Sequence, residues 1–275
     1  MTTRRTIEEI YGPGDDVDAA VEAFLDESLA PRGPGMLFDV VASLGLPAGS
    51  FALDVGCRTG AHAIELARRF GFRVLGIDPI ERHVVDGRAA LATLAQTEPE
   101  VAARVTLEEG IAEAIPLAHG VVDLVWSRDM LLHVRLDDAL REAARVLRPG
   151  GAMLVFVVCA TPWLEPGEAE RIFAPRAAVP ENMYPARLGR GFQAAGLSVV
   201  EAIELRSEWR EAQEESGAGR TSRQLLHVAR LLRNRDRFVE RFGEADFDIE
   251  LANSLYGIYQ MIGKLSPWAY VLRRG

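Results

Sequence analysis

The chain has little with which to build a covalent or metal-based framework. Its 275 residues include only two cysteines, Cys57 and Cys159, and no spaced cysteine cluster of the kind that marks a disulfide scaffold or a zinc site. The five histidines form no pair at metal-ligand spacing with a carboxylate, so no metal is expected. Lysine is nearly absent, with Lys264 alone among 31 basic residues. Against 40 acidic residues these leave a formal net charge of −9, which disfavours tight binding to a phosphate backbone. A nucleic-acid partner is not expected. Long apolar runs are missing too. The longest, Ala152 to Ala160, is too short to span a bilayer and reads as a buried strand. Residues 1–16 turn acidic without an apolar run suited to a signal peptide. The expected location is the cytoplasm, with no membrane partner. What is present is enough apolar sequence, 48%, to bury the core of one large α/β domain, with or without a helical cap.

The order of patterns gives that domain its outline. Before Ser50, Val17, Val21 and Phe24 recur at helical spacing, and residues 36–44 offer a second short helix beyond the breaker at residues 31–35. From Ser50 on, short strands alternate with helices. Strands are predicted at residues 51–55, 73–77, 104–108, 121–126 and 152–159, and helices at 61–70, 81–96 and 136–147, the last ended by Pro149, Gly150 and Gly151. A helix over 185–195, a strand over 197–205, helices over 222–242 and 248–265, and a final strand over 268–272 complete the chain. Strand–helix alternation implies a mostly parallel sheet covered by helices on both faces, with ligands outside the carboxyl ends of the strands. The predicted division is an N-terminal helical lid (1–49), an α/β core (50–205), a helical cap insertion (206–266) and a last core strand (267–275).

The chemistry concentrates at the first two strand ends. A buried strand ends in Asp54, and Gly56 and Gly60 bracket a turn into a helix. Glycine lets the backbone approach a ligand with no Cβ in the way, and amides at a helix start can meet a carboxylate. An acid ahead of the glycines suits a ligand that also carries an ammonium group. The second strand ends in Asp78, placed to accept hydrogen bonds from both hydroxyls of a ribose. Pro79 and Ile80 follow with apolar surface for a purine face. Cys57 reads as a small buried residue offering its backbone only.

Asp54-Val-Gly-Cys-Arg-Thr-Gly60 resembles the first motif of the class I S-adenosylmethionine-dependent methyltransferases, acid-x-Gly-x-Gly-x-Gly. Asp78 is similar to that family's ribose-binding acid. Val121 to Ser127 with Arg128 to His133 resembles its fourth strand and following loop, and Arg145 to Gly151 the turn before its fifth strand. The likeness covers residues 51–160. It implies a Rossmann-like, mostly parallel seven-stranded sheet with helical cap elements, S-adenosyl-L-methionine as cofactor and S-adenosyl-L-homocysteine as product. It also implies a small-molecule methyl acceptor, and brings Gly110, Ile111, Ala112, Ser127 and Met130 into the cofactor set. His62, at the start of the first helix, is a candidate cover for the cofactor's carboxylate. Two positions depart from the pattern. Arg58 stands where the family has its middle glycine, and Ile111 where an acid meets the adenine amino group, with Glu113 a candidate substitute.

His133 follows the fourth strand and is the candidate base, able to take a proton from an acceptor hydroxyl. The bland reading is a histidine packing a helix end. His83, His119 and His227 read as surface residues. Seven arginines between Arg220 and Arg241 read as a solvated face paired with acids such as Glu240 and Glu244, or as an anion site. Trp163, Tyr184, Trp209, Tyr256 and Tyr259 are candidate pocket linings, and Tyr11 resembles a lid tyrosine. The function expected is methyl transfer to an O, N or C nucleophile, in bacterial specialised metabolism on the strength of the arginine-rich composition. The alternatives are a methyltransferase-fold cyclase or scaffold, and an NAD(P)-dependent oxidoreductase. The latter needs Gly-x-Gly-x-x-Gly, whereas this turn is Gly56-x-x-x-Gly60. A homodimer stays open.

Overall fold

The structure is a computed structural model that describes residue 6 and residues 15–275; Tyr11 lies outside them. Internal contacts divide the chain into two units, Met1–Pro31 and Arg32–Gly275. The first contributes helix α1 (Asp15–Leu25).

The second unit is built on a seven-stranded sheet. Its strands are β1 (Phe51–Val55), β2 (Arg73–Asp78), β3 (Val105–Glu109), β4 (Val122–Arg128), β5 (Leu147–Ala160), β6 (Leu197–Glu204) and β7 (Leu265–Arg274). They lie in the order β3-β2-β1-β4-β5-β7-β6. The first five run parallel, while β7 is antiparallel to β5 and β6. The order reverses between β1 and β4, which opens a crevice at their carboxyl ends.

Each strand side-chain face packs on its own layer, as a period of two requires. One layer joins Ala52, Leu124 and Leu154 to helices α2 (Met36–Ser43) and α3 (Ala61–Phe70). Residues 32–49, assigned to the lid by sequence, thus share the core of the sheet through Leu37, Phe38, Val40 and Val41. The other layer joins Leu53, Val125 and Val155 to α6 (Leu136–Val146) and α8 (Pro185–Ala194). Helix α6 presents Leu136, Ala139, Leu140 and Ala143 at spacings of three and four, the signature of a core-facing stripe. Between these lie α4 (Glu81–Leu94), α5 (Pro99–Ala102) and α7 (Pro166–Phe173). The cap is α9 (Glu208–Glu215), α10 (Arg220–Arg233), α11 (Arg235–Phe242) and α12 (Glu244–Met261).

Two elements differ from the sequence reading. Pro149 to Gly151 is not a turn outside β5 but an irregularity inside it, where the β4 register steps from Val122↔Leu147 to Leu124↔Ala152. The single helix expected over 222–242 breaks at Asn234, whose backbone leaves the helical region (φ −122°, ψ 31°). Its side-chain amide donates to Arg230 O at 2.9 Å, the local competition that makes asparagine a helix breaker.

Candidate functional site

The turn after β1 is held by its backbone. The amides of Gly56 and Cys57 both donate to Ile77 O on β2, at 2.9 and 3.0 Å. Gly56 (φ 75°) and Gly60 (φ 80°) are left-handed. A Cβ on Gly56 would lie 2.8 Å from Met130 Cγ, and one on Gly60 2.8 Å from Leu107 Cδ1, so neither position has room for a side chain. Arg58 is left-handed too (φ 51°). Its exposed side chain turns out to solvent while its amide donates to Asp78 Oδ2 at 2.8 Å. The arginine thus replaces the family's glycine by using only its N–H inside the site.

Asp78 is buried at the end of β2. Its Oδ1 accepts from Ile80 N at 3.0 Å and lies 3.0 Å from His83 Nδ1. The surface assignment of His83 is therefore corrected: it sits on the first turn of α4 and orients this carboxyl. Gly110 N donates to Asp78 O at 3.1 Å, which brings the β3 end alongside. Pro79, Ile80 and Ile111 are exposed at this edge and Ala112 is buried. Ile80 and Ile111 are 50% and 45% accessible, a degree of exposure that a flat aromatic ligand would cover. Glu113, the candidate substitute acid, instead accepts from Arg135 N at 3.0 Å, at the start of α6.

Asp54 is 2% exposed. The Ala63 amide at the start of α3 favours its charged form, but Oδ2 is buried with no partner. Burial, and then the charge of Asp78, push this carboxyl up to about 7, against the pull of the Ala63 amide and of Arg128. His62, one turn along, is held down to about 4 by burial and by Arg128, and is neutral at physiological pH. Its Nε2 contacts Arg128 Nη1 and its ring lies beside Trp126. Sequence reasoning missed Arg128 as a site residue. The signal was its place directly after Ser127, since Ser127 pairs with Val55 across the β1–β4 register. Cys57 is buried, and burial pushes its thiol well up, so it is no nucleophile. Ser127 is buried with Oγ unpartnered.

The loop after β4 holds His133, exposed at the end of a single 3₁₀ turn. Its Nδ1 lies 3.1 Å from Ala177 O; a proton donated there leaves Nε2 as the acceptor nitrogen. Buried Asn182, which no sequence pattern marked, donates to Leu131 O and Val134 O, both at 2.9 Å, and so fixes this loop. Of the candidate aromatics, Trp209 packs tilted against Phe156, ring centroids 4.3 Å apart, and Tyr256 is buried beside Arg176. Trp163 and Tyr184 are exposed, and Tyr259 faces Glu168 and Lys264. The arginines of α10 and α11 are mostly exposed, with Arg235 paired to Glu244.

The strand order and the glycine turn define a Rossmann-like fold, with the two strand-end acids side by side at its crevice. Residues 53–155 match the family model described as methyltransferase domain. The chain is 27% identical to O-methyltransferase resE of Aspergillus sclerotiorum, over 74% of this chain and 78% of that one. It is 29% identical to dimethylglycine N-methyltransferase of Parasynechococcus marenigrum, over 70% and 67%. Geranyl diphosphate C-methyltransferase of Streptomyces coelicolor, solved with Mg2+, geranyl diphosphate and S-adenosyl-L-homocysteine, shares the fold. Its TM-score is 0.62 at 18% identity, covering 88% of this chain and 80% of that one. Over residues 53–155 the chain is thus similar to the methyltransferase domain family, and S-adenosyl-L-methionine is the cofactor that the sequence resemblance implies. The residues present fit that group: a buried, unpartnered carboxyl oxygen on Asp54 beside a turn with no room for a Cβ at Gly56 or Gly60.

Proposed function

We propose that the enzyme moves the methyl of S-adenosyl-L-methionine to an O, N or C nucleophile of a small molecule lying beyond the carboxyl end of β4. In this reading Asp54 holds the ammonium of the cofactor, and Arg128 with neutral His62 meets its carboxylate. Asp78, pre-oriented by Arg58 N, Ile80 N and His83, takes the ribose hydroxyls. Ile80, Ile111 and Ala112 cover the purine. Gly56, Cys57, Gly60 and Gly110 contribute backbone, and Ser127 and Met130 close the β4 side. When bound, the cofactor supplies a methyl on a positively charged sulfur and leaves as neutral S-adenosyl-L-homocysteine.

The remaining work of the protein is alignment and exclusion of water, and orientation alone is worth roughly 7–11 kcal/mol in favourable cases. His133, with Nδ1 committed to Ala177 O, receives the proton of a hydroxyl acceptor at Nε2; a neutral amine needs no such help. The arginine-rich, lysine-poor composition supports a place in bacterial specialised metabolism. The observation that carries the proposal is the buried Asp54 carboxylate with an unpartnered oxygen. It gives the pocket a negative point where a nicotinamide dinucleotide would place phosphate. Methyl-labelled cofactor incubated with a panel of hydroxyl, amine and carbon acceptors tests it. Label in a small-molecule product supports methyl transfer. Cofactor binding with no transfer anywhere in the panel contradicts it and favours the cyclase or scaffold alternative.

A further inference from the structure

Past the end of β4, arginines from separate parts of the chain converge on one acid. Asp129 follows the strand in left-handed backbone (φ 54°). Besides its burial, its carboxyl feels the charges of Arg128, Arg176, Arg210 and His133. Arg220, at the start of α10, adds its own charge at Arg128 and Arg210. The balance does not close. Arg128 lies 3.9 Å from Asp129 Oδ2, but among the described residues Arg176, Arg210 and Arg220 have no carboxylate ion-pair partner.

Arg210 is 8% exposed, and its donors meet only neutral amides, Gln260 Oε1 at 3.2 Å and Gln213 Oε1 at 3.3 Å. Arg176 lies 3.8 Å over the ring of Tyr256 and donates to Asn253 Oδ1, while its Nε is buried without a partner. Tyr256 is 7% exposed and its hydroxyl has no partner either. Burying a guanidinium against neutral groups is costly unless an anion joins it. The planar fork of arginine matches a carboxylate or phosphate in two-point contact. Set against the one acid, Asp129, whose Oδ1 is also unpartnered, the guanidiniums are in excess and two donors, Arg176 Nε and the Tyr256 hydroxyl, are free, which is the composition of an oxyanion site.

We infer that Arg176, Arg210 and Arg220, with the Tyr256 hydroxyl, bind an oxyanion of the methyl acceptor, either a carboxylate or a phosphate. This rests on the methyl-transfer reading, because it places the anion on the acceptor rather than on the cofactor, whose side of the cluster is Arg128. The protein loaded with S-adenosyl-L-homocysteine is titrated calorimetrically with inorganic phosphate and with acetate at fixed ionic strength. Wild type is compared with R176Q, R210Q and the surface variant R220Q. The expected result is binding of one anion, weakened at least tenfold in R176Q and R210Q and severalfold in R220Q, with S-adenosyl-L-homocysteine affinity within twofold of wild type. Phosphate binding alone assigns a phosphorylated acceptor, and acetate binding alone a carboxylate.

A second readout separates ligand binding from a structural role. Without ligands, R210Q melts at or above the wild-type temperature, because an uncompensated buried charge has been removed. Anion binding unchanged in all three variants, or absent in wild type, overturns the inference while leaving the cofactor assignment standing. Failure of S-adenosyl-L-homocysteine to bind, with the anion response intact, overturns the methyl-transfer reading instead.

Discussion

Between Asp54 and Gly60 the half of the site proposed for the cofactor is made mostly by backbone. Consecutive residues turn through two left-handed glycines and present amides and one carboxylate. Across β4 the other half is made by side chains. Arg176, Arg210, Arg220 and Tyr256 come from the loop after α7 and from α9, α10 and α12. Gly56 and Gly60 in the first half have no room for a side chain, because a Cβ there meets Met130 or Leu107 below 3.0 Å. The second is specified by charge and reach, and charge and reach can be changed one residue at a time. A fold that keeps its donor pocket while varying its acceptor pocket divides its sequence in this way.

Breaking the acceptor half at its candidate base has the largest expected effect. His133→Ala lowers kcat on a hydroxyl acceptor by about 10²–10⁴-fold and leaves cofactor affinity unchanged, as measured by steady-state kinetics and calorimetry. An amine acceptor loses little, so the same variant sharpens the choice of nucleophile. Breaking the cofactor half at Asp78 comes next. Asp78→Ala removes a carboxylate that also orients Arg58 N, Ile80 N and His83. Charged hydrogen bonds of this kind are worth about 1.5–3 kcal/mol, so cofactor affinity falls by about 10- to 150-fold with kcat at saturation less affected.

The third comparison uses pH. Asp54 is raised in the fold to about 7 from an ordinary 3.8, so the folded state holds its proton more tightly than the unfolded chain. Its contribution to the stability of the unliganded protein is therefore most favourable below pH 4, and declines by roughly 4 kcal/mol as pH rises to 7. An ammonium beside the carboxylate reverses the preference and releases the proton. Cofactor affinity should then rise about tenfold per pH unit between 5 and 6.5 and level off above 7. Asp54→Asn should remove both dependences and melt higher than wild type at pH 7.5. A flat affinity profile in wild type would place the ammonium elsewhere. The smallest effect is at Arg58. A non-glycine residue in left-handed backbone costs about 1 kcal/mol, so Arg58→Gly should stabilise the protein by about that amount in thermal unfolding. Cofactor binding is retained, since only the Arg58 amide faces the site.

These differences also decide what was legible in the sequence. The glycine turn, Asp54 and Asp78 lie on contiguous motifs whose spacing is fixed by a strand end, and the alternating strands carried the sheet with them. His83 was within reach of the same reasoning: it falls on the first turn of a helix whose preceding strand ends in Asp78. Glu113 was misplaced because a short loop lets it reach the start of α6, a tertiary partner with no local signature. Arg210 and Tyr256 were invisible as a pair. They lie on separate helices, and an arginine on a polar helix reads as solvated until the fold buries it. The break at Asn234 was missed because the apolar spacing runs on through it, although asparagine itself was the warning.

Calorimetric titration of the wild-type protein and of Asp78→Ala with S-adenosyl-L-homocysteine at neutral pH puts the cofactor assignment to its most direct test. One site per chain in wild type, weakened tenfold or more by the substitution in a protein that still unfolds cooperatively, is the result predicted. No heat with wild type, or equal affinity in the two proteins, would contradict the placement of the cofactor across β1 and β2.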